Sequence, residues 1–258
     1  MDITIILSLI FAFGSLILGF ILEEGSPGSL VQLSAAIIVF GGTFGALGVS
    51  FPFKVVAKLP KCLGIAFKKR ESNIEESIEY FHRISIKTRQ EGLLVLESEL
   101  KEEGLDPFIR RGLQMVVDGV EITEVRSILD TKLEQMVERH ESGIEIFAAS
   151  GGFAPTMGII GTVMGLVLVV SNLSDPEALG PKIASAFMAT LYGIGTANLF
   201  WLPIANKLKV LDKEEVNEKL MYIEAICLIQ QGTNPNTLVS KLQGFLSEKE
   251  AKKFDTDF

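Results

Sequence analysis

Charged residues are not spread evenly along this chain; they fall into blocks separated by four windows that contain none. The first window runs from Ile3 to Leu22, and the second from about Leu30 to Phe53. The third lies between Glu145 and Asp175, and the fourth between Lys182 and Lys207. A helix crosses a bilayer with about 20 apolar residues at 1.5 Å rise each, and every window is long enough. Met1-Asp2 supplies no basic flank and Leu22-Glu23-Glu24 is a poor cleavage site, so the first window is expected to be a retained span rather than a signal peptide.

Between and after the windows the apolar period is helical. Ser72-x-x-Glu75 reads as a capping box, with Ile74, Ile78 and Phe81 following on one face. Asp106-Pro107 reads as an N-cap with proline at the first helical position, and Asp118-Gly119 as that helix's stop. After Thr123, an apolar face carries Val125, Ile128, Leu129, Met136 and Val137. A further helix is expected from Lys207 to about Gln231, stopped at Gly232, and Thr233 to Asn236 caps a short last one. Strand alternation is absent. The expected fold is all-α and integral to a membrane, with four transmembrane helices. A transmembrane hairpin over residues 1–53 precedes a helical cytoplasmic domain over 54–145, a second hairpin over 146–206 and a helical tail over 207–258.

Basic residues orient this plan. Neither Glu23–Ser29 nor Ser174–Pro181 contains a lysine or arginine, whereas Lys54, Lys58, Lys61, Lys68, Lys69 and Arg70 follow the second span and Lys207, Lys209 and Lys213 the fourth. By the positive-inside rule both short loops lie outside, and both termini and the 54–145 segment are cytoplasmic. Cys62 and Cys227 then sit in a reducing compartment as free thiols. With His82 and His140, expected to be exposed helix residues, they are too few for a metal cluster. The formal net charge of -8 argues against a nucleic-acid binder.

The last two spans differ from the first two. Span three places Gly158, Gly161 and Gly165 every three to four residues, a smooth stripe where a helix can approach closely. Span four carries Ala184, Ser185, Ala186, Ala189, Thr190, Gly193, Gly195 and Ala197. Such residues either line a seam or simply permit packing. Pro155 and Pro203 each remove a backbone donor near the cytoplasmic side, where a bend is expected. Trp201 and Tyr192 read as packing or interface anchors.

None of the windows holds Asp, Glu, Lys, Arg or His; they offer hydroxyls, notably Thr156, Thr162, Ser185, Thr190 and Thr196. An ion pathway usually needs an intramembrane carboxylate, so that group must come from a partner chain. Catalytic pairs, zinc motifs and phosphate-cradling loops are missing from the sequence too, which disfavours an enzyme.

Several segments, taken in order, resemble the flagellar stator family MotA/PomA, within the MotA/TolQ/ExbB proton-channel superfamily. They are Arg89-Gln90-Glu91-Gly92-Leu93-Leu94-Val95-Leu96-Glu97, Val117-Asp118-Gly119, Pro155 to Gly165, Ser171 to Pro181, Thr190-Leu191-Tyr192-Gly193, and Pro203. The resemblance covers essentially the whole chain. It implies five such subunits around two copies of a B subunit, which brings a single span with an ion-carrying aspartate and a peptidoglycan-binding domain. The only small species implied is the transported Na+ or H+. Arg89 and Glu97 match charges that contact the rotor protein FliG; on one helix, eight residues apart, they would lie about 80° apart around the axis. Gln90 stands where some sodium-type members carry a second basic residue, so neighbours such as Lys87 are alternatives. Thr162 and Thr190 match threonines of sodium-type members, which favours sodium over proton. Gly151-Gly152 stands where some relatives have an acid. Other readings are an ExbB/TolQ-like energiser, a group that usually has three spans, and a passive membrane scaffold.

Overall fold

A computed structural model of the chain describes residues 2–69, 74–171, 176–246 and 250–251. Helices account for its elements, and the described residues contain no strand. In order these are α1 (Ile3–Leu22), α2 (Leu33–Ala36), α3 (Gly42–Ser50), α4 (Phe53–Val56), α5 (Leu59–Ala66), α6 (Ile74–Glu91), α7 (Leu96–Glu99), α8 (Pro107–Val117), α9 (Ile122–Val170), α10 (Pro176–Thr196), α11 (Leu202–Gln230) and α12 (Pro235–Leu242). Wide π turns at Ile37–Gly41 and Ala197–Trp201 join α2 to α3 and α10 to α11. Four helices are long and apolar enough to cross a membrane. The chain divides into two compact units. One comprises Met1–Lys69 with His140–Val210, the other Arg70–Arg139 with Leu211–Phe258. Both hairpins fall in the first unit, together with α4 and α5, which follow the second span.

In the membrane unit, α1 buries none of its residues, and Ile3, Leu7, Ile10 and Phe11 are all exposed. Such a helix is untenable in water and suited to hydrocarbon. Asp2 accepts a hydrogen bond from the Thr4 N–H at 3.1 Å, capping α1, and pairs with Lys207 at 3.1 Å. The unit's core gathers Ala35, Val39, Phe147, Ala154, Ala189 and Trp201. Small residues dominate it because helices packed in lipid gain from close backbone approach rather than from expelling water. Around Trp201 the rings of Phe44, Phe147 and Phe200 stand 6.1, 5.9 and 5.0 Å away.

The other unit has a water-soluble type of core, with Ile78, Phe81 and Ile84 of α6 meeting Leu113, Leu129, Ile226 and Leu238. Gly112 lets three helices cross: a Cβ there would sit 2.4 Å from Ile226 Cδ1 and 3.3 Å from Leu129 Cδ1. Asp106 accepts from the Phe108 N–H at 2.7 Å with Pro107 at the first helical position, and α8 ends at Gly119 (φ 75°).

Three expectations need amending. Residues 122–170 form one continuous helix through Pro155, and α11 starts at Leu202 rather than Lys207. Within a membrane the carbonyl that a proline leaves without its donor is tolerated, because donors such as Ser and Thr hydroxyls and local adjustments of the helix satisfy it. At Pro203 the π turn directly before it supplies the widened geometry. His82 and His140 are half-buried, each held by neighbours, rather than exposed. The Ser72 cap and residues 172–175, between the third and fourth spans, lie outside the described residues.

Candidate functional site

The glycine stripe of the third span is filled by the fourth span of the same chain. A Cβ on Gly158 would lie 2.8 Å from the Ala189 carbonyl oxygen, one on Gly161 2.6 Å from Ala189 Cβ, and one on Gly165 2.4 Å from Ala186 Cβ. From the other side, a Cβ on Gly193 would lie 2.4 Å from the Ala154 carbonyl oxygen. Backbones therefore touch along α9 and α10, and the spacing of the stripe is that of one helix face.

Two hydroxyls meet on this seam. Thr162 Oγ1 lies 2.5 Å from Thr190 Oγ1, 3.1 Å from the Gly158 carbonyl oxygen and 3.0 Å from that of Ala186. Thr190 Oγ1 reaches the Gly158 carbonyl at 3.4 Å. Four oxygens thus converge where neither helix carries a charge. Thr156 does not join them. Its exposed hydroxyl donates to the Phe153 carbonyl at 2.7 Å, and six residues of helix turn it about 120° away from Thr162. Thr196 likewise donates within its own helix, to the Tyr192 carbonyl at 2.6 Å.

A second polar group ties span two to span four. Tyr192 donates to the Leu30 carbonyl at 2.5 Å and accepts from the Gln32 N–H at 3.0 Å, while Ser185 donates to Gln32 Oε1 at 3.2 Å. The break between Leu30 and Leu33 leaves backbone groups that a helix would have paired, and the tyrosine satisfies them. Gln32 and the buried Thr43, whose hydroxyl finds no partner, are polar positions that a search for charges passes over.

In the other unit, Arg89 and Glu97 are both exposed, yet they do not share a helix. Gly92 adopts φ 85°, a conformation open to glycine and costly for other residues, and ends α6; a 3-10 turn over Leu93–Val95 then leads into α7. The 80° estimate for one helix therefore fails. Across this corner Lys87 Nζ lies 2.6 Å from Glu99 Oε1, and Arg83 lies 4.0 Å from Glu99 Oε2. Glu99 is 2% exposed, a buried carboxylate that Glu97-Ser98-Glu99 gave no hint of. Lys87 is thereby engaged inside the subunit. Burial first, and the Glu99 and Glu102 charges next, push the Tyr80 phenol well above its usual range. Burial also raises the free thiols of Cys62 and Cys227. No cluster of metal-ligating side chains occurs among the described residues.

Charge-free spans with a hydroxyl-bearing seam define a multi-pass helical membrane protein. Residues 100–221 match the model of the MotA/TolQ/ExbB proton channel family. The chain is similar to Motility protein A of Bacillus subtilis, 36% identical over 98% of this chain and 94% of that one. Its fold is similar to the flagellar MotAB stator complex from Bacillus subtilis, with a TM-score of 0.91, 36% identity and coverage of 97% and 99%. The C. jejuni MotAB structure is also similar, with a TM-score of 0.90, 34% identity and coverage of 96% and 97%. The chain belongs to the MotA/TolQ/ExbB proton channel family, in its MotA branch. It is a channel-forming stator subunit, a motor component and not an enzyme.

Proposed function

We propose that this chain forms the outer wall of a sodium-driven stator in the inner membrane, with both termini and the charged helical unit in the cytoplasm. Five copies surround two B subunits, whose span supplies the ion-carrying aspartate and whose remaining part holds peptidoglycan. The observation that carries the sodium reading is the convergence of the Thr162 and Thr190 hydroxyls with two carbonyl oxygens. A hard cation shedding water wants several oxygens, whereas a proton needs only the carboxylate. Thr156, exposed on another face, meets the ion outside that cluster. Pro155 and Pro203 are the points at which the spans yield as the ion passes. Arg89 and Glu97 face the rotor protein FliG from the two sides of the Gly92 corner. No resident cofactor is needed, because the transported ion is the working species. One charge falling through 100 mV yields about 2.3 kcal/mol, so successive states of the ring must be close in energy.

Four spans, two of them ahead of the helical unit, favour this reading over an envelope energiser or a passive scaffold. The test is rotation speed of tethered cells that carry this chain with its B subunit, as the sodium and proton gradients are varied separately. Speed should follow sodium, and Thr190→Ala should lower it at limiting sodium. Speed that follows the proton gradient alone overturns the ion assignment.

A further inference from the structure

One face of α6 carries Tyr80, Arg83 and Lys87 at helical spacing, and the two cations on it converge on a single carboxylate, Glu99 of α7. Lys87 Nζ holds Glu99 Oε1 at 2.6 Å, and Arg83, lying over the Tyr80 ring at 5.4 Å from its centre, stands 4.0 Å from Glu99 Oε2. Stability does not explain this group. Glu99 Oε2 and the Tyr80 hydroxyl are both buried without a hydrogen bond, and a half-satisfied buried network is worse than apolar side chains of similar volume. What the carboxylate supplies and a leucine would not is direction. The short helix α7 buries two of its residues, Leu96 and Glu99. Burial of Leu96 is non-directional and locates the helix without fixing its rotation, whereas a charge-assisted hydrogen bond to Glu99, at the other end of the same turn, fixes both.

We propose that Glu99 is a positioning residue for the rotor contact: its bond to Lys87 sets the placement of α7 against α6, and with it the placement of Glu97 relative to Arg89. This rests on the reading of those two charges as the rotor-facing pair. Arg89 lies two residues beyond Lys87 on α6, and Glu97 two residues before Glu99 on α7, so each exposed charge sits beside one end of the clasp. Between them the corner is open at its apex. Gly92, at φ 85°, has nothing within 4 Å of an added Cβ, and Leu94 of the connecting turn is 70% exposed. The clasp closes this corner from below; without it both charges stay on the surface but lose their fixed separation.

Glu99→Leu isolates this role, because it removes the clasp and leaves Lys87, Arg89 and Glu97 in place. Lys87 and Arg83, 42% and 56% exposed, then turn to water. The full chain, with its B subunit, is read in three ways: the melting temperature of the purified complex, torque at high load in a strain lacking its own stator, and the separation of two spin labels. The labels sit on Gln90→Cys and Ser98→Cys, both exposed, with Cys62 and Cys227 replaced by serine and labelled subunits diluted among unlabelled ones. Glu99→Leu should melt no lower than the parent, yet show a broader spread of label separations and lose torque. Lys87→Met with Glu99→Met, which buries no lone charge, should keep the melting temperature and show the same two changes. An unchanged spread overturns the positioning role, and so does a broader spread with full torque. Torque restored in the double variant as its melting temperature recovers reduces the pair to structural support and overturns the proposal too. Normal torque in Arg89→Glu would overturn the rotor reading, and this proposal with it, while leaving the label separations untouched, so the two failures are distinguishable.

Discussion

Adding one methyl group at Gly193 separates the seam's geometry from any general property of glycine. A Cβ there would stand 2.4 Å from the Ala154 carbonyl oxygen and 3.1 Å from Gly158 Cα, where ordinary contact begins at 3.4 Å. Both neighbours are backbone, so no rotamer change relieves the clash, and the spans must part by about 1 Å. Overpacking of this kind costs about 1–3 kcal/mol. The same shift lengthens the 3.0 Å bond from Thr162 Oγ1 to the Ala186 carbonyl to about 4 Å, beyond hydrogen-bonding range. Losing it costs about a further 0.6 kcal/mol, for a total of about 2–4 kcal/mol. Gly195, two residues along the same helix, has nothing within 4 Å of its added Cβ. Gly193→Ala and Gly195→Ala gain helix propensity alike, so their difference reports the contact alone. The assay is heat-induced loss of the monodisperse peak of the purified protein, with swimming in a strain lacking its own stator as a second reading. Gly193→Ala should melt lower and swim poorly while Gly195→Ala matches the parent; equal behaviour of the pair would refute the close-contact argument.

Arg89→Glu, at an exposed position, should change the melting temperature little and stability by less than about 0.5 kcal/mol, yet reduce torque; normal torque at high load removes this residue from the rotor contact. Lys87→Met strips the close partner from Glu99, and because Lys87 is 42% exposed the cost should be about 1–3 kcal/mol, read as a lower melting temperature that Lys87→Met with Glu99→Met recovers. Tyr80, whose phenol is raised in the folded protein, contributes stability that is complete below about pH 10 and is lost as pH rises above it. Tyr80→Phe should therefore flatten the fall in melting temperature between about pH 9 and 12, and an unchanged fall would assign it to other groups.

The spans were readable from the sequence because exclusion of charge over some twenty residues has few other causes. The glycine face was readable too, since its period is that of a helix, but what lies against it was not. A stripe at helical spacing states that something comes close without saying whether it is a partner chain or, as here, the same chain's α10. The Arg89–Glu97 corner was misread as one helix because the residues on both sides of Gly92 are helix-compatible, and a lone glycine in such a pattern does not announce a positive φ. Glu99 escaped notice for a related reason. Its burial depends on that corner folding Lys87 back over it, and no local pattern distinguishes it from the exposed Glu97.

The tyrosine bridge between Leu30, Gln32 and Tyr192 limits what can slide. A hydroxyl that both gives and receives across two spans works as a rivet: axial play of the second span against the fourth would break both bonds at once. Any displacement that keeps both bonds must carry the start of the second span along with the part of the fourth that holds Tyr192.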